Sequence, residues 1–266
     1  MKPEITNYNT YLARMDVSLP DKAFFVYRAP LARAIVDFGC AAGNLFRYIR
    51  SISNQEYIMI GYDNDKAMRE LAHESADVVC GTMEELQEAI ENTLAAHNLT
   101  MKNVLFNFSS VIHEMNSYEI DDIFSFINDL RPGYISIRDM KFRCKKEIPN
   151  DWLRIFDEKY LKQFYSFLAH RGIIFPDLED FAEYLLKYKY TENWERELEE
   201  HYFFGFARAE KYYNELIDNH KYRPTWDVNY CLPHFDRQIK DDFNIFFNVS
   251  DYFTTHEQLL LERTDL

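Results

Sequence analysis

The chain has 266 residues, 47% of them hydrophobic, enough to bury the core of one large domain or of a domain with an elaboration. Its formal net charge of −14 sets up a field that repels phosphate backbones, so a broad duplex-binding face is disfavoured. Four scattered cysteines without a C-x-x-C pair argue against structural zinc or a disulfide scaffold; with neither a signal-peptide core nor an apolar run near ~20 residues, a soluble cytoplasmic protein is expected.

After a polar lead, Asp21–Tyr27 reads as a helix packed ahead of the first strand. Strands and helices then alternate. Ala34–Phe38 is strand one, Asn44–Ser51 a helix, and Tyr57–Tyr62 strand two. Lys66–Glu74 is a helix capped by Asn64 or Asp65. Asp77–Cys80 is a short third strand, Met83–His97 a helix and Asn103–Phe108 strand four. Ile120–Leu130 is a helix, and Tyr134–Arg138 is strand five after the turn Arg131-Pro132-Gly133. Five strands at this spacing predict a parallel, doubly wound α/β sheet.

Residues 141–220 read differently. Helices are predicted over Asp151–Ala169, Leu178–Tyr188 and Trp194–Asp218, which makes this segment a helical insertion or lid. It holds 13 Lys+Arg against 16 Asp+Glu, so a local basic groove is open to it. Its interleaved Lys187-Tyr188-Lys189-Tyr190 could stack a base, although aromatics at helical spacing more often fill a core. Pro224 breaks the helical run. Trp226–Cys231 is then a sixth strand, Phe235–Phe243 a helix and Gln258–Glu262 a last strand. The division expected is 1–140 with 221–266, and 141–220 apart.

The most informative stretch is Asp37-Phe38-Gly39-Cys40-Ala41-Ala42-Gly43-Asn44, a strand, a tight small-residue turn and a helix start. Gly61-Tyr62-Asp63 follows at the end of strand two. A small-residue turn lets a ligand approach backbone, and an acid about 20 residues on suits a ribose. The acid ahead of the turn points to a cationic or amine-bearing ligand. A nicotinamide dinucleotide turn would need glycine at positions 41 and 44, which hold Ala41 and Asn44.

These residues and this strand order resemble the class I S-adenosylmethionine-dependent methyltransferases, whose seventh strand runs antiparallel between the fifth and sixth. The resemblance implies a mostly parallel seven-stranded sheet with the helical insertion between strands five and six. It also implies S-adenosylmethionine as cofactor, with Asp37 toward the amino group and Asp63 on both ribose hydroxyls. The cofactor positions it implies are Asp37, Gly39, Cys40, Ala41, Gly43, Asp63, Asn64, Thr82, Met83, Ser109 and Ser110. Ala41 stands where the family has its middle glycine, and Thr82 where it has an acid or amide for adenine.

Carboxyl ends of parallel strands line the ligand crevice. His113, just after strand four, is therefore a candidate base. Arg138-Asp139 ends strand five on the same rim, either as an acceptor-binding element or as a structural ion pair, and Asp139 is the second catalytic candidate. His256, at the start of an antiparallel last strand, is the third. Lys22 is expected to be solvated, though it could reach a cofactor carboxylate. There is no Asn/Asp-Pro-Pro-aromatic motif and no Pro-Cys nucleophile, which disfavours DNA-base chemistry. Methyl transfer to an O or N of a small molecule is the expectation. A nucleic-acid or nucleotide acceptor and a non-catalytic binding protein are the alternatives. No metal site is expected.

Overall fold

The structure is a computed structural model that describes residues 16–144, 158–175, 180, 184, 203–231, 249–251 and 253–266. Helix α1 is Leu19–Lys22, followed by β1 Ala34–Phe38, α2 Asn44–Ile52, β2 Ile58–Tyr62, α3 Lys66–Ala72, β3 Val78–Cys80 and α4 Met83–His97. Next come β4 Val104–Ser109, α5 Ser117–Leu130, β5 Tyr134–Cys144, α6 Glu158–His170, α7 Phe203–Asp218, β6 Tyr222–Tyr230 and β7 Phe253–Arg263. The predicted helix over Phe235–Phe243 and all but two residues of that over Leu178–Tyr188 lie outside the described residues.

The helix starts are encoded locally. Asp65 caps α3 by accepting from the N–H groups of Ala67 and Met68. Thr82 caps α4 through Glu85 N–H. Asn116 and Glu119 form a reciprocal capping box on α5, each satisfying donors the first turn leaves open. The helix expected over Asp21–Tyr27 is instead four residues of α1 followed by turns.

The sheet has seven strands in the order β3-β2-β1-β4-β5-β7-β6. β1 pairs in parallel with β2 and β4, β2 with β3, and β4 with β5. β7 runs the other way. The N–H of Arg263, at its end, donates to Gly133 O beside the start of β5 (2.9 Å), and Tyr134 Oη donates to Glu262 (3.4 Å). Pro224, read from sequence as a helix breaker, lies inside β6. That strand is at the sheet edge, the place in a sheet where proline is tolerated.

The chain divides into two compact units: residues 1–139, 204–227 and 258–266, and residues 140–203 and 228–257. The second unit therefore takes residues 228–257 in addition to the segment after β5. In the first unit the apolar residues of the strands alternate between two faces. Val36, Phe38, Phe106, Phe108, Ile135 and Ile137 belong to a core with α4, α5 and α7. Ile35, Met59, Leu105 and Leu260 belong to another with α2 and the segment Ala23–Val26. Stacked rings, Phe38 on Tyr62 (4.2 Å between centroids) and Phe124 on Tyr212 (5.4 Å), add about 0.5–1.5 kcal/mol per pair beyond their burial. In the second unit, Phe164, Phe167 and Tyr184 are buried together. Among the described residues no helix is long and apolar enough to cross a membrane.

Candidate functional site

The turn after β1 is built by backbone. The N–H groups of Gly39 and Cys40 both donate to Tyr62 O, at 2.8 and 3.0 Å, and Gly43 N–H closes the turn onto Cys40 O at 2.9 Å. Gly39 and Gly43 sit at φ 75° and 71°, a region that L side chains rarely enter. A Cβ on Gly39 would also come within 2.6 Å of Val111 Cγ2. The turn and the loop after β4 are therefore in direct contact. Ala41 also adopts positive φ, at 46°, so the position of the family's middle glycine keeps its left-handed backbone despite the methyl. The Cys40 side chain packs into the apolar core, and burial raises its thiol pKa with help from Asp37 and Asp63. Only its backbone faces the turn's chemistry.

Asp63, 6% exposed, ties the turn to the end of β2. Its Oδ2 accepts from Ala41 N–H at 3.0 Å and its Oδ1 from Asp65 N–H at 2.8 Å. Asn64 is exposed beside it. Thr82 Oγ1 is engaged as the α4 cap, accepting from Glu85 N–H at 3.2 Å, and Met83 is half-buried behind it. Arg69 is a residue the sequence reading missed. Its Nη1 donates to Asp63 O at 2.7 Å, and its Cζ stands 2.7 Å from where a Cβ on Gly81 would be. Its place on α3, six residues past Asp63, was the only available signal.

Asp37 is buried and accepts from Asn107 Nδ2 at 2.7 Å. Burial raises its carboxyl to about 6, against the pull of Asn107 and Lys22. Asn107 also escaped the sequence reading, because an amide inside an apolar strand is not by itself a ligand signal. Ser109 is buried, and its hydroxyl has no partner among the described residues. Ser110 follows in a left-handed conformation at φ 59° and accepts from Arg138 Nη1 at 2.6 Å.

Arg138 and Asp139 do not pair with each other. Adjacent strand residues point to opposite faces. Arg138 reaches Asp21, with Nε 2.7 Å from its Oδ2. Asp139, fully buried, instead holds His113: Nδ1 and Oδ1 are 2.5 Å apart. Its Oδ2 accepts from the N–H groups of Val111 (3.1 Å) and Ile112 (2.7 Å). The first unit thus gathers His113 and Asp139 with the glycine turn. His256 is not among the residues it gathers: it belongs to the second unit, where its Nδ1 is 2.8 Å from Thr255 Oγ1. Lys22, expected in solvent, is 5% exposed. Among the described residues no three His, Cys, Asp or Glu side chains gather as a metal site would need.

A parallel five-strand run, with a reversed seventh strand between the fifth and the sixth, decides the architecture. The chain has the class I methyltransferase fold. No family model and no curated protein matches the sequence. Solved structures do match. The plantazolicin methyltransferase BamL, in complex with a triazolic desmethylPZN analog and SAH, is 12% identical over 93% of this chain and 84% of its own, with a TM-score of 0.43. A SAM dependent methyltransferase from Archaeoglobus fulgidus is 13% identical over 97% of this chain and 100% of its own (TM-score 0.43). Geranyl diphosphate methyltransferase in complex with SAM is 10% identical over 98% and 92% (TM-score 0.42). As in open α/β sheets generally, the class I methyltransferase fold of this chain puts its glycine turn, Asp63 and His113 at the carboxyl ends of β1, β2 and β4.

Proposed function

We propose that the chain is an S-adenosylmethionine-dependent methyltransferase acting on a hydroxyl or amine of a small molecule. The observation that carries this reading is the contact between the glycine turn and the loop of His113, made where Gly39 has no Cβ and Val111 fills the space. A ligand lying on the turn is thereby next to a buried histidine that a carboxylate orients.

The residues fit that cofactor. Asp63 stands at the end of β2 where a ribose carboxylate would be needed, and Gly39 to Gly43 let a chain of atoms pass against the backbone. Thr82 keeps its hydroxyl proton for adenine, and the Arg69 guanidinium flanks the same end. When bound, the cofactor's sulfonium supplies an electrophilic methyl, and the difficult chemistry is its own. The protein's part is alignment, worth up to ~7–11 kcal/mol in well-oriented systems, and proton management. Asp139, buried and 2.5 Å from Nδ1, fixes the tautomer that carries the proton on Nδ1. Nε2, with Glu114 Oε1 at 3.9 Å, is the nitrogen that Asp139 does not hold, and in this reading it takes the acceptor's proton as its O or N attacks, worth roughly 10²–10⁴-fold. The net charge of −14 favours a small neutral or cationic acceptor over nucleic acid.

The test is calorimetric titration with S-adenosylmethionine and S-adenosylhomocysteine, with NAD as control, followed by an acceptor screen with labelled methyl. Micromolar binding of both sulfur compounds that is lost in Asp63→Ala supports the reading. A folded protein that binds neither sinks it.

A further inference from the structure

A series of side chains runs from the edge of the sheet to the loop after β4, all within the first unit. On β6, Trp226 Nε1 donates to Gln258 Oε1 of β7 at 3.1 Å, and the Arg28 guanidinium lies over the Trp226 ring, 3.9 Å from its centroid. Gln258 Nε2 in turn donates to Asp21 of α1, to the backbone oxygen at 2.9 Å and to Oδ1 at 2.8 Å. The second carboxylate oxygen, Oδ2, takes Arg138 of β5, whose Nε and Nη2 each stand 2.7 Å from it. Arg138 Nη1 donates to Ser110 Oγ at 2.6 Å, and the Arg138 backbone oxygen accepts Ser110 N–H at 2.8 Å. Each side chain is oriented by the one before it.

The Arg138 side chain is 3% exposed and that of Asp21 22%. A buried ion pair is weak evidence of stability, because desolvation offsets much of its attraction. What this pair does supply is geometry: the planar guanidinium fork fastens α1 to Ser110. Ser110 needs such a hold, since it sits at φ 59° without being glycine, and a left-handed serine persists only where its surroundings impose it. Next along the loop come Val111, against Gly39, and then His113. Asp139 binds that part of the loop from the next position of β5. Two consecutive strand residues therefore fasten successive parts of one loop, Arg138 its start and Asp139 its end.

We propose that Arg138 and Asp21 are positioning residues for His113. Their pair keeps Ser110 in left-handed backbone, which sets the path of the loop and so the direction of the ring. Both act through the loop rather than on a ligand, and loosening Asp21 on α1 loosens the loop. The inference rests on the base role proposed above for His113, but the geometry it requires is measurable without cofactor or acceptor.

The test follows the His113 Nδ1 proton, held toward Asp139 at 2.5 Å, by proton NMR of the full chain, with His113→Gln to assign it. Arg138→Lys keeps a charge beside Asp21 but lacks the fork that spans Asp21 and Ser110. It should speed exchange of that proton with water about tenfold or more, the scale of one lost charge-assisted hydrogen bond. Asp21→Asn, which keeps its size and an acceptor oxygen, should do the same from the α1 side. Ser110→Gly supplies the rescue, because glycine enters left-handed backbone without a brace. In the Ser110→Gly background, Arg138→Lys should no longer change the exchange rate. Unchanged exchange in both single variants, an equal acceleration in the Ser110→Gly background, or acceleration that only tracks a lowered melting temperature overturns the assignment. A wild-type chain with no protected ring proton overturns it too. Calorimetry with S-adenosylhomocysteine is run on the same wild-type protein: the expected exchange pattern without binding overturns the cofactor reading and upholds the brace.

Discussion

Asp139 holds His113 and the loop that carries it at the same time: one carboxylate oxygen is 2.5 Å from Nδ1, and the other accepts the N–H groups of Val111 and Ile112. A fully buried acid spent on three donors of one short loop fixes where the ring can point. Nε2, with Glu114 Oε1 3.9 Å away, is the ring nitrogen that Asp139 does not hold. His113→Ala should lower methyl transfer by roughly 10²–10⁴-fold and leave S-adenosylhomocysteine affinity intact. Single-turnover transfer and calorimetry separate the two effects. Asp139→Asn retains one acceptor oxygen and should lower the rate with little loss of cofactor affinity. A pH–rate profile unchanged by either substitution would exclude the base role.

Asp63 joins turn and strand through Ala41 N–H and Asp65 N–H. In Asp63→Ala those donors lose their acceptor, and the ribose contact proposed above is lost with it. Cofactor affinity should fall by about 2–5 kcal/mol, measured by calorimetry, while far-ultraviolet circular dichroism remains that of the folded protein. Asp63→Asn, which keeps an acceptor oxygen, should fall less.

Gly39 is constrained twice, by its φ of 75° and by Val111. Gly39→Ala should destabilise the protein by roughly 1–3 kcal/mol in urea unfolding. Adding Val111→Ala should restore part of that loss, because it opens the space but leaves the backbone strain. Additive losses in the double mutant would show that the two residues are uncoupled.

Stability should depend on pH through Asp37 and Lys22, with opposite slopes. The Asp37 carboxyl is raised from 3.8 to about 6. Between these values the native state holds the proton that the unfolded state has lost, so stability falls as pH rises from about 4 to about 6, by up to ~3 kcal/mol, and is flat above. Lys22 is lowered from 10.5 to about 8. There the unfolded state holds the extra proton, and stability rises from about pH 8 to about pH 10. Urea unfolding across pH should lose the first slope in Asp37→Asn and the second in Lys22→Met. Asp37→Asn should also gain stability near pH 7 while losing cofactor affinity.

The sequence by itself determined the elements whose signals are local. β1 is Ala34–Phe38 as read, because an apolar run ending in a small-residue turn has few other uses. The interval from the turn placed Asp63 at the end of β2, and His113 stood out as the histidine just after strand four. β5 and β7 extend beyond the expected Tyr134–Arg138 and Gln258–Glu262, and β6 starts four residues before the expected Trp226, since their outer stretches mix polar with apolar residues and pair only with strands distant in sequence. What the tertiary structure alone decided are contacts between residues far apart in the chain. Arg138 finds Asp21 across 117 positions, and Asp37 meets Asn107 across 70. Neither partner is implied by its own neighbourhood. Lys22 looks in sequence like any solvated lysine, and Arg138-Asp139 like an ion pair. The strand's two-residue period sends Arg138 and Asp139 to opposite faces, and the packing of the Lys22 segment against one of those faces buries its ammonium. Side-chain periodicity is a property of the chain; the elements that cover each face are a property of the fold.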